Sequence, residues 1–119
     1  MGELTEYIAG LELPARTVVD RYRLRAIELV PTAEEGKSYG MAALRYRGRP
    51  LISVIATRQG YSVFPFSGSV VAGVVAGHAG LDASKGGIRF SERRPLPDAV
   101  FDALVLGRRD EIDAALSPA

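Results

Sequence analysis

Hydrophobic and polar positions are patterned most clearly between Tyr39 and Ser69, a stretch reading YGMAALRYRGRPLISVIATRQGYSVFPFSGS. Three short apolar runs are separated there by Arg47-Gly48-Arg49-Pro50 and by Arg58-Gln59-Gly60. Runs of strand length broken by glycine- and proline-containing turns predict a three-stranded antiparallel meander. The first strand, Met41 to Tyr46, puts Met41 and Ala43 on one face and Ala42, Leu44 and Tyr46 on the other. The second, Leu51 to Thr57, is apolar on both faces, which predicts a central strand with something covering it. The third is Tyr61 to Phe66, with Phe64 and Phe66 sharing a face.

Helical spacing flanks this meander. Leu4 to Leu11 predicts a short helix. Ala15, Val18, Val19, Tyr22, Ala26, Leu29 and Val30 recur as one broad stripe, with Pro14 at the first helical position and Pro31 as the stop. Arg16, Asp20, Arg21, Arg23, Arg25 and Glu28 fall mostly off the stripe and are expected in solvent. Thr32 to Ser38 reads as a polar connection. After the meander, Ser67 or Ser69 is placed to cap a short helix from Val70 to His78. Gly73 and Gly77 weaken that helix by roughly 1 kcal/mol each relative to alanine, so a neighbour is expected to pack closely on them. Leu81 to Gly87 reads as a loop, and Ile88-Arg89-Phe90 as a short fourth strand. A last helix begins near Asp98, with Phe101, Leu104, Val105, Ile112 and Leu116 as its stripe and Gly107 unexplained in its middle. The order predicts a single α+β domain over residues 1–119, with helices packed on an antiparallel sheet.

Composition narrows the chemistry. With 119 residues, 47% hydrophobic and 24% charged, the chain has the make-up of one folded domain. A net charge of +1 supplies no bulk attraction to nucleic acid or membrane, and neither partner is expected. There is no cysteine, which removes disulfides, thiolate metal sites and a cysteine nucleophile and agrees with a reducing cytoplasm. The acidic start MGELTEYIAG does not read as a secretory leader. The longest apolar run, Val70 to Ala79, is far short of the ~20 residues that span a bilayer.

Candidate chemistry is sparse. Lys85 follows Ser84 and precedes Gly86-Gly87, so no phosphate-binding Gly-Lys-Ser/Thr sequence exists. A simpler anion site remains conceivable at the Ser67-Gly68-Ser69 turn with Lys85, set against a purely structural cap. His78 is the sole histidine and has no adjacent partner for base or metal chemistry, so a helix-end role is the plainer reading. Arg45, Arg47, Arg49 and Arg58, interleaved with Tyr46 and Tyr61, are either a nucleic-acid or acidic-partner surface or charges that keep an edge soluble. Acids gather near the N-terminus (Glu3, Glu6, Glu12), in the following loop (Glu34, Glu35) and in the last helix (Asp98, Asp102, Asp110, Glu111, Asp113). Clustered carboxylates suit hard cations and ferrous iron, whereas scattered ones are simply solvated.

Several segments, taken in order, resemble the YdhG-like family of small bacterial proteins, described as frataxin-like intracellular iron chaperones. They are Tyr7-Ile8-Ala9-Gly10-Leu11, the stretch from Tyr39-Gly40-Met41 through Tyr46-Arg47-Gly48-Arg49-Pro50-Leu51, Phe64-Pro65-Phe66-Ser67-Gly68-Ser69, Ser84-Lys85-Gly86-Gly87-Ile88-Arg89-Phe90, and Pro95-Leu96-Pro97. The resemblance covers nearly the whole chain. It implies helices against an antiparallel sheet and a cytoplasmic, non-catalytic role in iron delivery to iron–sulfur or haem assembly proteins. Iron would then fall to Glu3, Glu6, Glu34, Glu35, Asp110, Glu111 or Asp113, because Arg16, Arg21, Arg23 and Arg25 on the long N-terminal helix repel a divalent ion. The alternative is a binding module for an anionic small molecule or acidic protein, using Arg45, Arg47, Ser67, Gly68, Ser69 and Lys85.

Overall fold

The computed structural model describes residues 2–117. Four helices and six strands follow one another as α1 (Glu3–Ala9), α2 (Ala15–Leu29), β1 (Glu34–Ser38), β2 (Met41–Tyr46), β3 (Arg49–Thr57), β4 (Gly60–Phe64), α3 (Gly68–Ala76), β5 (Asp82–Ala83), β6 (Ile88–Phe90) and α4 (Asp98–Leu116). The strands form one antiparallel sheet in the order β1-β2-β3-β4-β6-β5. Helices α1, α2 and α4 lie against the sheet, and α3 packs on α4. The expected α+β architecture is therefore present, with two strands more than the sequence pattern predicts.

Both additions have a physical reason. Thr32 to Ser38, expected as a connection, contains β1, a polar edge strand in which only Ser38 is buried. With no apolar alternation, nothing in its composition marks it. Its pairing follows from the Tyr39-Gly40 turn, where φ is 52° and 77°. Arg47-Gly48 repeats this at 51° and 77°. Positive φ at both central residues defines the tight two-residue hairpin turn whose twist matches the flanking strands. The expected loop Leu81 to Gly87 likewise contains β5, two exposed residues paired with β6.

β3 is central, as its two apolar faces predict. Leu51, Ile52, Ser53 and Val54 are consecutively buried. Its partners divide along its length: Arg49, Pro50 and Ile52 pair with β2, and Ser53 to Thr57 pair with β4. An irregularity between Leu44 and Arg45 loosens the β2 register. The Ser53 hydroxyl donates to the Ala42 carbonyl at 2.7 Å and so remains satisfied in the core. β4 ends at Phe64, two residues earlier than expected, because buried Pro65 has no amide to continue the ladder. Phe66 then turns into the left-handed region at φ 57°.

The core stripe of α2 appears with Val19, Tyr22, Ala26 and Val30 buried, and that of α4 with Phe101, Leu104, Val105 and Ile112. Tyr22 sits edge-on to Phe90 at 5.3 Å and tilted against Phe101 at 4.9 Å, and its hydroxyl donates to the Leu96 carbonyl. Tyr61 stacks on Phe90 at 5.2 Å. The α2 charges lie off the core as expected, with Arg16, Arg21 and Glu28 exposed and Arg25 half-buried, but two of the arginines also make contacts across to α4. Arg25 makes a two-pronged contact with Asp102 at 2.6 and 2.7 Å, and Arg21 reaches Asp98 at 2.8 Å. Arginines and aspartates spaced four apart on facing helices thus clamp α2 to α4. None of the helices is long and apolar enough to cross a membrane among the described residues.

The glycine expectation for α3 is overturned. A Cβ at Gly73 would meet nothing within 4 Å, and one at Gly77 would meet only a carbonyl of its own helix. The close approach lies on the opposing helix, where a Cβ at Gly107 would stand 3.3 Å from a Val70 methyl. Gly73→Ala is therefore expected to stabilise the protein by up to about 1 kcal/mol, whereas Gly107→Leu costs about 1–3 kcal/mol through overpacking. Thermal unfolding checks both, and a melting temperature raised by Gly107→Leu would contradict the α3–α4 packing.

Candidate functional site

The Ser67-Gly68-Ser69 turn forms the helix cap that its sequence predicts. The Ser67 side chain accepts from the Val70 amide at 3.3 Å. Both hydroxyls also donate to the Glu111 carboxylate, each at 2.9 Å. Arg108 donates to the same carboxylate at 2.7 Å and to the Pro50 carbonyl at 2.8 Å. The anion held by this turn is thus a side chain of the protein, and it ties α3, α4 and the start of β3 together.

The arginines of the first hairpin are similarly engaged. Arg45 donates to the Lys37 carbonyl, the Ser38 hydroxyl and the Gly48 carbonyl at 2.6–2.9 Å. Arg47 and the Tyr46 hydroxyl converge on Asp113 at 2.9 and 2.7 Å. Asp113 is held below its usual range by the Tyr46 hydroxyl first and Arg47 second. Arg58 does not belong to this group, since it sits in the β3–β4 turn at the other end of β3.

Among the metal candidates, Glu35 accepts from the Thr5 amide and hydroxyl at 2.5 and 2.6 Å and so caps the start of α1 from a neighbouring strand. Glu3 approaches Lys37 at 3.9 Å, and Asp110 pairs with Arg109 at 2.8 Å. Glu6 and Glu34 are exposed, with no cation partner among the described residues. Among the described residues, no three histidine, aspartate or glutamate side chains converge. His78 stands just past α3, its Nδ1 3.1 Å from the Val74 carbonyl. Tyr61 is pushed up to about 12, by burial first and its contact with Glu92 second, which keeps the phenol neutral.

One concave surface combines an exposed aromatic ring and two half-buried ones with an unpaired cation. It is lined by Tyr39, Met41, Phe64, Phe66, Ser67, Gly68, Lys85 and Gly86 and encloses about 370 Å³. Tyr39 is 84% exposed, and its ring stacks on Phe66 at 5.7 Å and 21°. The hairpin turn accounts for the left-handed backbone of Tyr39. No turn accounts for that of Phe66, and holding a bulky residue there costs roughly 1–2 kcal/mol. Lys85 rims the same surface with no carboxylate within ion-pair distance among the described residues. Lys85, Ser67 and Gly68 of the expected anion set line this surface, but the Ser67 hydroxyl, like Ser69, Arg45 and Arg47, already serves an internal contact, which leaves Lys85 as the available charge. The aromatic half escaped sequence reasoning because Phe66 looks like a strand residue and Tyr39 like turn punctuation.

The Glu111 junction sets an acid limit. Burial raises the Glu111 carboxyl, but hydrogen bonds from Ser67, Arg108 and Ser69 outweigh it, and the group titrates below its usual 4.5. A depressed folded pKa means the stabilisation is complete above the unfolded value and is lost as pH falls through the folded one. Glu111→Gln is expected to lower the melting temperature at pH 7 and to flatten its decline below about pH 4.5. Parallel wild-type and variant profiles would remove Glu111 from this role.

The sequence matches no family profile and no curated protein. A solved structure does resemble the chain: the crystal structure of YdhG, a DUF1801-family protein from Bacillus subtilis, is 18% identical over 96% of this chain and 93% of that one, with a TM-score of 0.82. At that identity the likeness carries the architecture alone, and the chain has the fold of the Bacillus protein.

Proposed function

We propose that this chain is a non-enzymatic binding module for a small anionic molecule with an aromatic or apolar body. The observation that carries this reading is the exposed Tyr39 ring stacked on half-buried Phe66, with Phe66 on a left-handed backbone and Lys85 unpaired at the rim. A flat apolar platform recognises a ring or chain, and a neighbouring ammonium selects those bearing a negative charge. We also place the chain in the YdhG-like family, a reading supported by the ordered motifs and by the shared fold.

Iron carriage, with delivery to iron–sulfur or haem assembly proteins in the cytoplasm, is a second reading and rests on the resemblance alone. The carboxylates named for it are each paired, capping or isolated, and no three of them converge among the described residues. An anaerobic calorimetric titration with ferrous iron separates the two. The binding-module account expects no saturable heat up to sub-millimolar metal, and stoichiometric uptake would favour the carrier.

The module itself is tested with 2-naphthoate as a probe of the aromatic carboxylate class. Thermal shift should rise with its concentration, and the uncharged 2-naphthalenemethanol should act more weakly. Lys85→Ala and Phe66→Gly should each weaken binding by roughly tenfold. Phe66→Gly removes the stack yet relieves the left-handed backbone, so its melting temperature should not fall. A response unchanged in both variants would overturn the assignment.

A further inference from the structure

A second surface lies at the far end of β3, where two clefts adjoin. One, about 730 Å³, includes Gln59, Ser62, Arg89, Ser91 and Arg94 in its lining. The other, about 430 Å³, includes Thr57, Arg58, Gln59, Ser91 and Arg93. They share Thr57, Gln59 and Ser91 as a common wall. Both volumes fall in the range of small-molecule sites.

Charge is concentrated here. Arg58, Arg93 and Arg94 are exposed and have no carboxylate within ion-pair distance among the described residues. The arginines of α2 and α4 that do find partners cross-link or brace helices, so these three are set apart. Each cleft also carries one acid, and both acids are occupied: Asp82 lines the larger cleft and faces Arg89 at 3.1 Å, and Glu92 lines the smaller and accepts from the Tyr61 hydroxyl.

The frame is fixed rather than loose. An added Cβ at Gly60 would come within 2.5 Å of the Phe90 carbonyl, so the β3–β4 turn is seated directly on β6. The Ser91 amide donates to the Arg94 carbonyl at 3.1 Å, and the Ser91 hydroxyl accepts from the Arg94 amide at 3.1 Å. That closed turn puts Arg94 in the lining of the larger cleft and Arg93 in that of the smaller.

We propose that the two clefts form one site for an oligophosphate, with Arg94 holding one phosphoryl group, Arg58 and Arg93 holding the next, and Gln59 and Ser91 between them. Planar guanidinium groups match phosphate oxygens in two-pronged contacts, and the divided pocket matches a ligand with two anionic centres. A nucleic-acid strand fits less well, because the aromatic rings here, Tyr61 and Phe90, are buried and offer no stacking platform.

Calorimetric titration of the full chain with inorganic pyrophosphate at low salt tests this. One-to-one binding is expected, at least about tenfold tighter than inorganic phosphate. ADP should bind no tighter than pyrophosphate, since nothing engages the base. Arg94→Ala and Arg58→Ala should each lose about tenfold or more. Arg49→Ala, which removes an exposed arginine outside both clefts, should bind as wild type, and circular dichroism should show all three variants folded. The proposal is overturned by absent saturable binding, by equal affinity for phosphate and pyrophosphate, by an equal loss in Arg49→Ala, or by a single-stranded oligonucleotide that outcompetes pyrophosphate.

Discussion

β3 is buried along its middle and must be paired on both edges, yet its two neighbours take different halves of it. A strand interior cannot leave its amides and carbonyls unpaired without a cost of about 1–3 kcal/mol for each buried group. The β1–β2 hairpin therefore meets the first half of β3, and the β4–β6–β5 arm meets the second. The beginning of β2 and the end of β4 come to border one concavity, and the Tyr39–Phe66 stack spans it. The other end of β3 turns at Arg58-Gln59 and rests on β6, which creates the arginine-lined clefts. Both candidate surfaces are consequences of how a single strand is satisfied.

Polar contacts then decide which surfaces remain available. Glu111 occupies the helix cap that would otherwise receive an external anion, and Asp113 occupies Arg47. Asp98 and Asp102 occupy Arg21 and Arg25 of α2. Among the described residues the cations with no side-chain partner are Lys85 beside the aromatic stack, Arg58, Arg93 and Arg94 around the clefts, and Arg16 and Arg49, which stand apart from both surfaces. An internal carboxylate and an external ligand compete for the same donors, so the surfaces the protein has already neutralised are poor places to look for function.

The meander, the α2 and α4 stripes and the Ser67 cap were legible because each follows from periodicity or from one residue's local chemistry. β1 was not, since EEGKS has no apolar alternation and is ordered only by a turn and a partner. Gly107 was not, since its reason is a valine on another helix. The site residues were half legible. Ser67, Gly68 and Lys85 stood out as anion chemistry, but whether Ser69, Arg45 and Arg47 were free depended on acids more than forty residues away or on carbonyls in the adjoining turns. Arg93-Arg94 reads in sequence as a lead-in to a helix and acquires meaning only beside Arg58.

The proposed ligand site is the concavity under Tyr39 and Phe66, where a small anionic aromatic would bind. Amide chemical-shift mapping during a titration with 2-naphthoate tests it most directly. The account predicts that the largest shifts fall on Tyr39, Met41, Phe64, Phe66, Gly68, Lys85 and Gly86. Shifts confined to the α1–β1 acids or to the arginine clefts, or none at millimolar probe, would contradict it.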